Sequence, residues 1–356
     1  MKRIWRFVGT SLMIWSLAME SYGQSADSFI CNDVHFHLTN YIQKGTPIKD
    51  FLQIMGNKVG RVALFGIPLQ QQWAYNVTGD FAPRYYLDTD APLYYYSFTD
   101  AMIAMAYASL NADQKKRFEP MITGFNPTDM WATDHIRRVL LTFPNTFTGI
   151  GEFTIHKEFV SSKIAGGVAS LKDHALDSIY DFAAESGLVV LMHSDINNPF
   201  PKSYTKNYLS DMRDLFRRHP KTTIIWAHCG LGRIVTPITD QVKFLEDMLG
   251  DPELSHVNFD ISWDEVAKYF IQSPKATEIA AAMINKYPDR FLLGSDEVAP
   301  TTQAGYLKVY NMYAPLWKLL TPEASEKVRK KNFDRIFDAA KLKVRAWEKA
   351  NAGKQF

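Results

Sequence analysis

The chain has 356 residues, 46% of them hydrophobic and 22% charged, with 40 basic against 38 acidic side chains. Such a balance gives no support to a nucleic-acid binder or a membrane-surface protein, both of which concentrate positive charge. Two cysteines, Cys31 and Cys229, are too few for a disulfide scaffold; both fall in apolar runs and read as packing residues, with a bond between them left open.

Lys2, Arg3 and Arg6 precede an apolar run from Phe7 to Met19, followed by Ser21-Tyr22-Gly23 with small residues at the −3 and −1 positions. This is the layout of a secretory signal peptide, and the run is too short to cross a bilayer comfortably. Residues 1–23 are therefore expected to be removed on export to a periplasm or the extracellular space; an uncleaved anchor is the weaker alternative. Without them acidic and basic residues balance. Residues 24–356 exceed the ~250 residues of a typical (β/α)8 barrel by about a third, which fits one domain with long loops.

The first strand is Phe29 to His37, ending in the pair His35 and His37. A helix over 46–57 and a strand over 61–67 follow. Next comes an aromatic-rich insertion, from Trp73 to Tyr96 and broken by Gly79, Pro83 and Pro92. It is too irregular for an ordinary connection and reads as a lid or substrate wall, or equally as an aromatic dimer contact. A helix over 99–116 leads to strand three (118–125), a helix over 129–141 to strand four (147–153), and a helix over 171–186 to strand five (188–193). A helix ending near His219 precedes strand six (222–228), and a helix over 242–249 precedes strand seven (256–261). A helix over 274–287 precedes strand eight (290–296), and the tail from Thr321 is helical and charged. Continuous apolar runs mark strands buried on both faces, as in a parallel sheet. Eight such runs alternating with helices predict a closed (β/α)8 TIM barrel with the aromatic-rich insertion after strand two.

The exits of these strands carry His35 and His37, Glu152, His193, His228 and Asp296. Alternation along a strand points His35 and His37 the same way, and all strand exits of such a barrel open on one face. Imidazole nitrogens and carboxylate oxygens are ligands for zinc and similar divalent ions, and a buried carboxylate beside histidines needs a compensating cation. Each residue alone has a plainer explanation. A lone His-x-His pair is often incidental, Asp296 could cap a helix, and Glu152 could pair with a lysine. Six coincidences at strand exits favour a metal site.

Asp33-Val34-His35-Phe36-His37, Gly149-Ile150-Gly151-Glu152, Met192-His193, Ala227-His228-Cys229-Gly230 and Gly294-Ser295-Asp296, in that order, resemble the amidohydrolase superfamily. The resemblance covers the chain after the leader and implies that His35, His37, Glu152, His193, His228 and Asp296 surround one or two divalent ions, zinc first among them. Many members carry a carbamylated lysine on strand four. This chain has Glu152 there, which leaves the number of ions open. The Ala-His-Cys-Gly-Leu-Gly-Arg stretch and Asp260-Ile261-Ser262-Trp263 look most like the branch containing both hydrolases and decarboxylases.

The expected chemistry is attack of a metal-activated water on an amide, ester or lactone of a small molecule. Asp296 would ligate, orient the water and move its proton; His228 would ligate or steady the oxyanion. Arg233 could hold a substrate carboxylate, or start a helix with a salt bridge. Trp263 could line the pocket, or simply pack. His156 and Lys157 could face the pocket, or lie in a solvated loop. His256 starts a strand and has no role, and His135, His174 and His219 are expected at the surface. A decarboxylase of a small, perhaps aromatic, carboxylic acid and a non-catalytic metal-holding binding protein are the alternatives. The partner is a small molecule, with neither nucleic acid nor stable membrane association; a homo-oligomer is left open. The third glycine of a dinucleotide fingerprint, a phosphate-binding loop and a nucleophile elbow are all missing, and a glycosidase carboxylate pair would leave the histidines unexplained.

Overall fold

The structure is a computed structural model describing residues 29–39, 45–67, 98–157, 169–197, 207–235, 237–238 and 240–354. The expected leader and the whole of the aromatic-rich insertion lie outside the described residues.

Within them, every apolar run named above becomes a strand. They are β1 (Cys31–His37), β2 (Val59–Phe65), β3 (Phe118–Ile122), β4 (Gly149–Thr154), β5 (Val189–His193), β6 (Ile224–Trp226), β7 (Val257–Asp260) and β8 (Phe291–Leu292). A further short strand, β9 (Glu297–Val298), was not anticipated. The sheet order is β8-β7-β6-β5-β4-β3-β2-β1-β9, and each neighbouring pair is parallel. All seven residues of β1 and all six of β4 are buried, as strands covered on both faces require.

The eighth strand closes the ring by dividing in two. Phe291 and Leu292 pair with β7, and the chain then crosses to β1. There Val34 N–H donates to the Leu293 carbonyl at 3.0 Å, Asp296 N–H to that of His35 at 2.8 Å, and Ala299 N–H to that of His37 at 3.0 Å. The parallel (β/α)8 barrel is thus complete, and its last strand delivers Asp296 beside the two β1 histidines.

Two apolar layers hold the barrel. Outside, helices such as Ile48–Met55, His174–Ser186 and Gln241–Leu249 turn Phe51, Ile179 and Leu245 onto the sheet. Inside, Val34, Ala63, Phe65, Val189, Leu191, Ile225 and Leu292 meet Phe333, Ile336, Phe337 and Ala340 of the C-terminal helix Asn332–Asn351. Burying each large side chain contributes about 1.5–3 kcal/mol. This helix plugs the end where the strands begin. Buried Glu119 accepts there from Arg61 at 2.6 Å and from Lys341 at 2.5 Å. Arg61 also reaches Asp334 and Asp338, both at 2.8 Å. The charged character of the tail therefore serves a second purpose, tying the plug to β2 and β3.

Four local expectations are corrected. Strand three stops at Ile122, because the amides of Thr123 and Gly124 turn to the buried Asp100 carboxylate. The 99–116 helix divides into Thr99–Ala108 and Ala112–Lys115, since Asn111 and Gln114 form a reciprocal capping box that starts a new helix. Strand six ends at Trp226, two residues before His228. His219 is buried instead of exposed, with its ring nitrogens 2.8 Å from Asp177 and 3.1 Å from Asp181. Cys31 and Cys229 are free, buried thiols.

Candidate metal centre

Strand alternation and barrel closure bring the six expected donors to one point. Glu152 is the hub: its Oε1 lies 2.8 Å from His193 Nδ1, 3.6 Å from His228 Nε2 and 3.8 Å from His35 Nε2. Its Oε2 lies 3.6 Å from His37 Nε2. Asp296 Oδ1 stands 3.1 Å from Nε2 of both His35 and His37, and Oδ2 stands 3.9 Å from His228 Nε2. Three overlapping groups have donor atoms within 4.8 Å of one another: His35, His37 and Glu152; His35, His228 and Asp296; Glu152, His193 and His228.

His228 reaches this point from a turn, not from a strand. It and Cys229 adopt left-handed backbone, with φ of 58° and 53°, an arrangement that persists only when surroundings hold it. The His228 amide donates to Asp260 Oδ1 at 2.7 Å, which supplies the restraint.

Burial and partners set the charges. Burial raises the Glu152 carboxyl, but the Lys157 charge and the His193 ring overcome it and hold the group well below the usual carboxylate range. Asp296 follows the same logic: burial raises it, and His35 and His37 bring it far down. Burial works against the His35 imidazolium, yet Asp296 and Asp260 raise its pKa well above the ordinary value. His193, opposed by burial and by Lys157, is nonetheless lifted to about 9 by Glu152 and Asp195.

Several partners were assigned no role by sequence reasoning. Asp195 Oδ1 meets His193 Nε2 at 2.8 Å, so this ring is held from both sides. The carboxylate has room because Gly232 has no side chain: a Cβ there would come within 2.4 Å of Asp195 Oδ2. Asp33 accepts from the amides of His35 and Ser295, both at 2.9 Å, from Ser295 Oγ at 2.6 Å and from Tyr306 at 2.8 Å. It thereby pins β1 to the segment bearing Asp296. Asp260 and Ser262 lie behind His35 and His228. All four were adjacent to or inside the recognisable motifs, but only tertiary packing shows which ring each one touches.

Trp263 and Arg233 are brought to the site, and His156 is not. The Trp263 ring centroid lies 4.9 Å from that of His228 and 6.2 Å from that of His193. Over the indole sit the Arg233 guanidinium at 5.2 Å and the Lys157 ammonium at 5.5 Å. His156 instead stacks on Tyr208 with centroids 3.6 Å apart, and burial pushes its pKa down to about 4. His256 bonds the Phe216 carbonyl at the opposite end of the barrel.

The sequence from residue 33 to residue 338 matches the family model described as Amidohydrolase. This chain belongs to the amidohydrolase family. Several solved structures share its fold. A putative 2-pyrone-4,6-dicarboxylic acid hydrolase from Pseudomonas putida aligns at 13% identity and a TM-score of 0.53, over 87% of this chain and 98% of its own. A 2,6-dihydroxybenzoate decarboxylase from Rhizobium aligns at 11% identity and a TM-score of 0.51, over 87% and 99%. An uncharacterised TIM-barrel protein from Bordetella bronchiseptica gives 11% identity and 0.53, over 87% and 99%. A search of curated proteins found no match.

The donor set fits the divalent ion that amidohydrolases typically hold. His35 Nε2 and His228 Nε2 are buried and make no hydrogen bond of good geometry, with Asp296 Oδ1 3.1 Å from the first and Glu152 Oε1 3.6 Å from the second. Orphaned imidazole nitrogens aimed at a shared centre beside two buried carboxylates are costly without a cation and suited to one.

Proposed function

We propose that this amidohydrolase is an exported metal-dependent hydrolase that cleaves an amide, ester or lactone in a small molecule bearing a carboxylate. The observation that carries this reading is the convergence of His35, His37, Glu152, His193, His228 and Asp296, with two imidazole nitrogens left without a hydrogen bond of good geometry at the centre. His35, His37 and Glu152 would hold one ion, zinc first among candidates; His193 and His228 would join Glu152 in a second set, and Asp296 joins His35 and His228 in the third group of donors. When bound, such an ion supplies Lewis acidity, polarising a carbonyl oxygen and making a neighbouring water acidic near neutral pH.

The chain's own groups perform the remaining tasks. Asp296, kept ionised by its histidines, accepts the proton of the attacking water and passes it to the leaving group. Arg233 and Lys157, both close to the Trp263 ring, draw in a substrate carboxylate. Pinning of β1 by Asp33 keeps the two β1 histidines and Asp296 in mutual register.

A decarboxylase would use the same donors to hold a carboxylate. Elemental analysis of the purified protein, followed by a screen of carboxylate-bearing lactones, amides, esters and benzoates, tests the proposal. Water addition supports it, whereas carbon dioxide release assigns the decarboxylase. A protein with bound metal but no open coordination position would be a binding protein. Export rests on the Lys2-to-Gly23 leader pattern, and the mass of the mature chain recovered from cells tests it.

A further inference from the structure

Strand β7 ends in Asp260, and Ser262 follows two residues later. Both are fully buried, and between them they contact two of the central histidines. Asp260 Oδ2 lies 2.9 Å from His35 Nδ1. Asp260 Oδ1 accepts from the amides of His228 at 2.7 Å and Ser262 at 3.1 Å, and from Ser262 Oγ at 2.6 Å. Ser262 Oγ lies 2.9 Å from His228 Nδ1 and 3.3 Å from His35 Nδ1.

Counting hydrogens determines the direction of every bond. A carboxylate only accepts, so the single Ser262 hydroxyl hydrogen goes to Asp260 Oδ1 at 2.6 Å. The Ser262 oxygen is then an acceptor for its other neighbour, and His228 Nδ1 must carry the hydrogen between them. His35 faces a carboxylate on each side, Asp260 Oδ2 2.9 Å from Nδ1 and Asp296 Oδ1 3.1 Å from Nε2, and the shorter contact takes the hydrogen of the neutral ring. Whichever charge state the rings start from, the hydrogen they can give up is the one on Nε2. These are the two atoms that lie buried at the centre without a hydrogen bond of good geometry.

We infer that Asp260 and Ser262 are positioning residues that together lock His35 and His228 in the Nδ1–H tautomer, presenting both Nε2 lone pairs to the shared centre. One carboxylate orients both rings, and the serine carries its influence to the second. A further glycine makes room: a Cβ on Gly294 would lie 2.8 Å from the His35 Cβ and 2.9 Å from the Ser262 Cβ. A neutral His228 in this tautomer cannot donate from Nε2. In this tautomer it serves as a ligand or a base.

The zinc arm of the test rests on the metal reading above, and the tautomer arm does not. The full chain, labelled with 15N-histidine and free of metal, is examined by long-range 1H–15N NMR at a pH where the rings are neutral. His228 and His35 are expected to show a pyrrole-like Nδ1 and a pyridine-like Nε2. Ser262→Ala should shift His228 toward the Nε2–H form and leave His35 unchanged; Asp260→Asn should alter both. Zinc affinity should fall by about 10- to 100-fold in Ser262→Ala, the usual cost of losing such an outer partner. Wild-type His228 carrying its hydrogen on Nε2, or His228 signals indifferent to Ser262→Ala, would overturn the inference. A wild-type chain that shows the expected tautomers but binds no zinc would support it while defeating the metal reading.

Discussion

His193 Nδ1 and Glu152 Oε1 face each other at 2.8 Å at the exits of adjacent strands β5 and β4. This contact lies at the centre of the donor cluster and ties its charge state to pH. In the metal-free chain the imidazolium is favoured up to about pH 9. Because the folded value lies above the ordinary 6.5, the contact's stabilisation is fully present below pH 6.5 and disappears as pH rises through about 9.

Metal binding should run the opposite way. A ligating nitrogen must be unprotonated, so an entering cation displaces protons from His193 and His35. Zinc affinity is expected to rise with pH as these two rings lose their protons, His193 through about 9. Calorimetry at pH 7 in two buffers of different ionisation enthalpy should reveal proton release on binding. A binding heat independent of buffer would sink this linkage.

Asp296→Asn removes the charge but keeps the shape of a side chain set against His35 and His37. Turnover is expected to fall by at least ~100-fold, the lower end for loss of a proton-transfer group. The circular dichroism spectrum should remain that of the folded chain. An active Asp296→Asn variant would remove this residue from the mechanism.

Gly294→Ala places a methyl group between β1 and the Ser262 turn. Overpacking of this kind costs about 1–3 kcal/mol, and the strain falls on the His35 ring. Both the midpoint of urea unfolding and the zinc content per chain should decline. A fall in stability alone would mean that the backbone gives way elsewhere and His35 keeps its place.

At the other end of the barrel, Arg61→Ala leaves the buried Glu119 carboxylate with Lys341 as its remaining cation. Breaking a buried pair from one side costs about 3–5 kcal/mol, and the surviving lysine puts this case near the lower figure. Urea denaturation measures the loss. Zinc affinity should hold, because the plug and the donors occupy opposite ends of the strands.

The amino-acid order alone determined the parallel barrel and singled out the six candidate donors that the fold brings together. Strands buried on both faces leave an unbroken apolar signature, and polar residues at their exits stand out against it. Partnership had to await the fold. Asp260 lies 225 positions from His35, and Asp33 lies 262 from Ser295, separations at which no local pattern survives. The left-handed turn that carries His228 is held by a carboxylate from the next strand, so the propensity of its own residues read as continuing strand. His156 resembled a pocket residue by position, but stacking on Tyr208 directs its ring elsewhere. Residue types state which chemistry is available; hydrogen-bond geometry, set by packing between distant segments, decides which atom of each ring performs it.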